Sequence, residues 1–121
     1  MKTNIKATNL ELTAEIKKAI EEKIGDLDRF LPDVKTPLEA YIEVARETRH
    51  HQKGEIFYAE VNLKIIGEVI RAEAREDNIF KAIGSLRNAI QELLGKYKKK
   101  QIAKREKAAR IVKEKGNTIS A

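Results

Sequence analysis

The chain has 121 residues, a formal net charge of +6, 36% charged residues, no tryptophan and no cysteine. This length suits one domain with a modest aliphatic core, and the missing cysteines exclude a disulfide framework and thiolate metal sites. No apolar run reaches the roughly 18 residues that a membrane span needs, and MKTNIKATNLELT lacks an apolar signal core, so a soluble cytoplasmic protein is expected.

Residues 2–8, KTNIKAT, alternate polar and small apolar side chains, with Ile5 and Ala7 on one side, and read as a half-buried strand. Leu10 and Leu12 are expected to continue it irregularly. Thr13 is a suitable N-cap, since its hydroxyl can accept an unpaired N–H of a first helical turn. Ile16, Ile20, Ile24, Leu27 and Phe30 then form one apolar stripe, predicting a helix over 14–30 that ends before Pro32. Residues 33–37 are a connection. Leu38, Ala40, Ile42 and Val44 alternate with charged residues and Tyr41 as a second strand, and residues 47–54, ETRHHQKG, read as a polar loop. Phe57, Ala59, Val61, Leu63 and Ile65 make the clearest strand, and Gly67 marks a tight turn. Ile70, Ala72 and Ala74 alternate with Arg71, Glu73 and Arg75 as a fourth strand. Asn78 is placed to cap a final helix.

The order is β-α-β-β-β-α, an α+β class. Three consecutive strands with short links predict an antiparallel meander. One apolar face per strand and one apolar stripe per helix predict two layers, with both helices on one face of a four-stranded sheet. The other face is expected to be wet and mixed in charge. No internal repeat is visible. The division expected is a folded domain over 1–101 and a basic C-terminal extension over 102–121, helical or disordered.

Charge is unevenly spread. Ile79, Ile83, Leu86, Ile90, Leu93 and Tyr97 form a helical stripe, after which the sequence becomes KYKKKQIAKREKAARIVKEK. Residues 96–115 carry ten Lys or Arg against two Glu, a net of +8, whereas residues 1–95 have a net of −2. Helix C-termini favour a few cations through the dipole, but not ten in twenty residues. Such segregation points to a polyanionic partner. Nucleic acid fits better than membrane, because only Ile102, Ile111 and Val112 supply bulk. With almost no Asn or Gln beyond Gln101 in this stretch, phosphate and shape are favoured over base edges.

Catalysis finds no support. The chain has no cysteine nucleophile, glycine-rich phosphate loop or GxSxG elbow. His50 and His51 are the only histidines, and zinc normally takes three or four ligands, so no metal is expected. They read as polar hairpin residues, with contact between a phosphate and Arg46, Arg49, His50, His51 and Lys53 as the alternative. No cofactor is expected.

Three stretches carry a resemblance. LELTAEIKKAIEEKIGDLDRF (residues 10–30) is similar to a Thr-capped helix ending near LxKL(E/D)(K/R)(F/Y/W). GEVIRAEAREDNIFKAIG (residues 67–84) is similar to a G-x-x-(L/I)-R-A-E-A strand followed by D-M-Y-x-A-I-D. Lys96, Tyr97 and Lys98 are similar to an R-K-Y-K ending. In this order and spacing they resemble the ribosome hibernation promoting factor family in its short form, which includes the ribosome-associated translation inhibitors. The resemblance implies a fold like double-stranded-RNA-binding domains. It also implies binding to the small ribosomal subunit and its rRNA, in the channel used by messenger and transfer RNA, without enzymatic activity. Departures fall at Asp26, Gly84, Ala89 and Glu92, and they weaken the expected basic surface of the helices; Lys23 and Arg29 match basic positions. The C-terminal dimerisation domain of long members is not in this sequence, so ribosome pairing through that domain is not expected.

The expected RNA-binding residues are Lys96, Lys98, Lys99, Lys100, Lys104 and Arg105, then Lys23, Arg29, Arg71, Arg75 and Lys81. The alternatives are a general duplex RNA or DNA-binding module, and a non-enzymatic interaction domain whose basic tail docks an acidic partner. The residues leave the oligomeric state open.

Overall fold

Alternating side chains set the sheet. A computed structural model describes residues 1–31, 38–48 and 54–119. In it β1 (Lys2–Thr8), β2 (Glu39–Thr48), β3 (Glu55–Ile65) and β4 (Glu68–Glu76) form one four-stranded sheet in the order β1-β2-β3-β4. β2, β3 and β4 are the expected antiparallel meander, with Val61 opposite Ile42 on one side and Ala72 on the other. β1 pairs parallel with β2, Ile5 opposite Ile42, so the sheet is mixed. A parallel neighbour needs a crossover, and α1 (Ala14–Lys23) supplies it. Gly67 sits at φ +75° in the β3–β4 turn, a conformation that glycine takes without penalty from a Cβ.

Ala40, Ile42, Val44, Ala59, Val61, Leu63, Ile70 and Ala72 point to the helices and are buried. They meet Ile16 and Ile20 of α1, and Ile79, Ile83, Leu86, Ile90 and Leu94 of α2 (Ile79–Ile119). Both helices lie on one face, giving the two-layer α+β architecture. The other face carries Asn4, Lys6, Glu39, Tyr41, Glu43, Glu60 and Asn62, and is polar and mixed in charge as expected.

Two expectations need correction. Leu10 and Leu12 do not extend β1. The strand ends at Thr8, Asn9 turns at φ +55°, and both leucines pack against the core from an irregular segment. The first helix does not run unbroken to residue 30. Thr13 caps it as predicted, its hydroxyl accepting from the Ile16 amide at 3.2 Å, but α1 ends at Lys23. Ile24 and Gly25 both donate to the Ile20 carbonyl, and a short 3₁₀ turn follows over Leu27–Phe30. The stripe persists across the break because 3₁₀ and α geometry differ by only a fraction of a turn over four residues. The predicted connection at 33–37, with Pro32 before it, and the loop residues Arg49, His50, His51 and Lys53 lie outside the described residues.

The break depends on Gly25. A Cβ there would lie 2.5 Å from the Glu21 carbonyl oxygen, a backbone atom that cannot swing aside. Gly25→Ala is therefore expected to cost about 1–3 kcal/mol through overpacking. Urea denaturation checks this; an unchanged midpoint would show that the turn relaxes freely.

Candidate nucleic-acid interface

α2 begins where β4 ends. The Asn78 side-chain oxygen accepts from the amides of Phe80 at 2.8 Å and Lys81 at 3.3 Å, capping the first turn. Its apolar stripe packs under β3 and β4 as far as Leu94, with Leu93 and Tyr97 half-buried at the margin. Beyond Tyr97 the helix continues past the sheet through Ile119, and every residue from Ile102 to Val112 is exposed. At about 1.5 Å per residue, the segment from Lys98 to Ile119 is roughly 30 Å of helix. No described helix is long and apolar enough to cross a membrane.

The structure separates the candidate residues into distinct settings. On the open sheet face, Arg71 lies 2.6 Å from Glu60 and 2.9 Å from Glu73. Arg75 lies 3.3 Å from Glu47 and 3.6 Å from Glu73, with its guanidinium 4.7 Å from the centre of the Tyr58 ring. The Tyr58 hydroxyl donates toward Glu60 at 2.5 Å and Glu73 at 3.0 Å. Burial, then these two carboxylates, push the Tyr58 hydroxyl well above its usual titration range. The hydroxyl of Tyr58, and then Arg71, hold Glu60 below the ordinary carboxylate value. Two guanidiniums thus face three carboxylates, and a phosphate would have to compete with this network for either arginine.

At the end of α1, Lys23 is exposed, and Arg29 pairs with Asp26 at 3.4 Å. Lys81 pairs with Asp77 at 3.2 Å one turn back. On the projecting part of α2 the picture differs. Lys96 is 3.8 Å from Glu92, while Lys98, Lys99, Lys100 and Lys104 make no ion pair among the described residues. Lys98, Lys99, Lys100, Lys104 and Arg105 are all exposed. Edge strand β4 and α2 bring Arg71, Lys96 and Lys100 together along one shallow groove, which Glu68 also lines beside the apolar Val69, Ile70, Leu93 and Tyr97. Lys107 and Arg110 are exposed on the same helix and belong with the basic set, although the resemblance stops short of them.

Sequence reasoning missed Arg87. Its side chain is only 14% exposed, and its guanidinium donates to the Lys23 carbonyl and to Asp26, the latter at 2.7 Å. It also lies 5.0 Å from the centre of the Phe30 ring, with Arg29 at 5.2 Å from the same ring. Arg87 therefore satisfies a carbonyl at the end of α1 and ties α1 to α2. The usable signal was Asp26 itself, an acid at one of the positions where the chain departs from the expected basic surface.

Arg87 holds the Asp26 carboxyl below its ordinary value of 3.8, first by hydrogen bonding; desolvation opposes this in part, and the charges of Arg87 and then Arg29 add to the lowering. The folded state thus binds this proton more weakly than the unfolded chain. The resulting stability is present above about pH 3.8 and is lost as pH falls below it. Asp26→Asn is expected to lower the urea midpoint at pH 7, with the gap to wild type narrowing as pH falls below that value. A gap that stays constant through the acid range would show that the carboxylate charge contributes nothing.

Residues 3–102 match the family described as Sigma 54 modulation protein / S30EA ribosomal protein. The chain belongs to this family. The resemblance read from residues 10–30, 67–84 and 96–98 is thereby established as membership of the S30EA family. A protein of Staphylococcus aureus (strain COL) named ribosome hibernation promotion factor is 32% identical over 94 residues, 78% of this chain and 46% of that protein. A protein of the same name from Picosynechococcus sp. is 28% identical over 118 residues, 94% of this chain and 60% of that one. The chain thus spans about half the length of these relatives. The Thermus thermophilus Protein Y N-terminal domain shares the fold at a TM-score of 0.66, 20% identity, covering 80% of this chain and 99% of that one. A ribosomal subunit interface protein from Coxiella burnetii does so at 0.64 and 20% identity, covering 81% and 98%. The S30EA match ends at residue 102, whereas α2 continues as a helix to Ile119.

Proposed function

We propose that this protein binds the small ribosomal subunit and restrains translation by occupying the channel where messenger and transfer RNA sit. Binding is carried by Lys and Arg contacts to rRNA phosphates, with no catalytic step and no cofactor, and the place of action is the cytoplasm. The observation that carries this reading is the exposed cationic end of α2 on an S30EA domain. The Lys98–Lys100 run and Lys104 have no carboxylate to displace among the described residues, so phosphate contact there forfeits no internal pair. Lys96 and Arg105 extend the same surface. Arg71 and Arg75 are secondary, because each must leave or share a carboxylate. Lys23, Arg29 and Lys81 lie on the folded part of the surface and add to the footprint. Residues 1–101 form the ribosome-binding domain, and 102–121 extend its basic reach.

Co-sedimentation with purified small subunits, in the presence of excess competing duplex RNA, tests the proposal. Retention on subunits, with release by messenger and transfer RNA bound in the channel, is expected. Equal loss to any duplex RNA would make the protein a general duplex-binding module. Binding that messenger and transfer RNA leave untouched would place it outside the channel.

A further inference from the structure

The projecting part of α2 is basic all round. At about 100° per residue, with Tyr97 as the zero direction, Lys96, Lys100 and Lys107 fall together on one flank of the helix. Lys98 and Arg105 fall together on the opposite flank by the same spacing. Lys99 and Arg110 point to the back, and Lys104 lies close to the line of Tyr97. All eight are exposed, and Glu106 is the one acid between residues 96 and 112.

A helix lying along a single phosphate track needs cations on one half of its circumference. The other half faces water, where further like charges at i,i+3 and i,i+4 only oppose the helix. Lys96 and Lys100, Lys100 and Lys104, and Lys104 and Lys107 are such pairs. Their repulsion is relieved when anions stand on both flanks. The large apolar residues, Ile102, Ile111 and Val112, point in three separate directions around the axis, so they make no single stripe for an apolar groove. Resting on the rRNA-binding reading above, we infer that this helix inserts between two RNA phosphate backbones, each neutralising one flank, as in a groove or a junction of RNA helices.

Two double variants of the full chain test this. Lys100→Gln with Lys107→Gln strips one flank, and Lys98→Gln with Arg105→Gln strips the other. Glutamine keeps a helix propensity close to that of lysine and arginine, and circular dichroism checks the helix content. Affinity for small subunits and for their protein-free rRNA is measured at several salt concentrations. Each variant is expected to reduce the steepness of log affinity against log salt by about 1.4–1.8, and the quadruple variant by about twice that. One variant keeping the wild-type slope while the other loses it would overturn the two-sided contact in favour of a single track. Wild-type slopes for both would remove the helix from the interface while leaving ribosome binding intact. Subunit binding that protein-free rRNA does not reproduce would assign the helix to an acidic protein and overturn the inference. Failure of the wild-type chain to bind either probe would overturn the ribosome reading itself.

Discussion

Deleting residues 96–121 is expected to leave a folded domain that has lost most of its salt-sensitive affinity for the small subunit. The retained part holds all four strands, α1, and the stripe of α2 through Leu94. Stability falls somewhat, because Tyr97 packs against the core margin and goes with the deletion. The retained part carries a net charge of −2, whereas residues 96–115 carry +8. Each phosphate neutralised releases condensed counterions, at about 0.7–0.9 slope units per contact. If roughly six tail cations contact phosphate, the intact chain shows a slope near −4 to −5. Between about 50 and 200 mM salt that is a fall of about 10²–10³-fold in affinity. The truncated chain keeps a shallow slope from Lys23, Arg29, Lys81 and the sheet arginines. Affinity and slope that survive truncation would make the basic helix a solvated appendage and move recognition to the folded face.

Leu63→Ala is expected to cost about 2–5 kcal/mol, through lost burial and the cavity left behind. Leu63 is fully buried on β3, a central strand, between Ala40 on β2 and Ile70 on β4. Both neighbours on its face are tied into the sheet backbone, so the site collapses little. The next residue, Lys64, points to the opposite, solvent-facing side, and Lys64→Ala is expected to stay within about 0.5 kcal/mol. Chemical denaturation of both variants measures the contrast. A loss at Leu63 as small as the one expected at Lys64 would reverse the assignment of the strand faces.

Much of this fold is legible in local pattern. Period-two alternation located all four strands, and the 3.6-residue stripe located both helices, because burying one face against the other layer demands those spacings. Thr13 and Asn78 were readable as caps for a local reason, since each satisfies amides within three residues of itself. The break after Lys23 was not readable. The stripe Ile16, Ile20, Ile24, Leu27 and Phe30 fits a continuous helix equally well, and glycine within a helix is tolerated often enough to pass unnoticed. The Asp26–Arg87 contact was out of reach too, as it joins residues 61 apart in the chain.

For the candidate interface the division is similar. Sequence by itself determined that the positive charge is concentrated after Lys96, since net charge is a sum over residues and needs no coordinates. It also determined the family, because the three matching stretches keep their order and spacing. Only the tertiary structure decided which cations are available. Arg71 and Arg75 alternate with glutamates along β4, a pattern that reads the same for a solvated face and for an RNA-binding one. Pairing of β4 with β3, and of β3 with β2, is what sets Glu60 and Glu47 beside them and occupies both guanidiniums. Lys98, Lys99, Lys100 and Lys104 escape that pairing for a physical reason: α2 runs on beyond the sheet, and although Lys100 shares a groove with Glu68 at the start of β4, these lysines form no ion pair among the described residues.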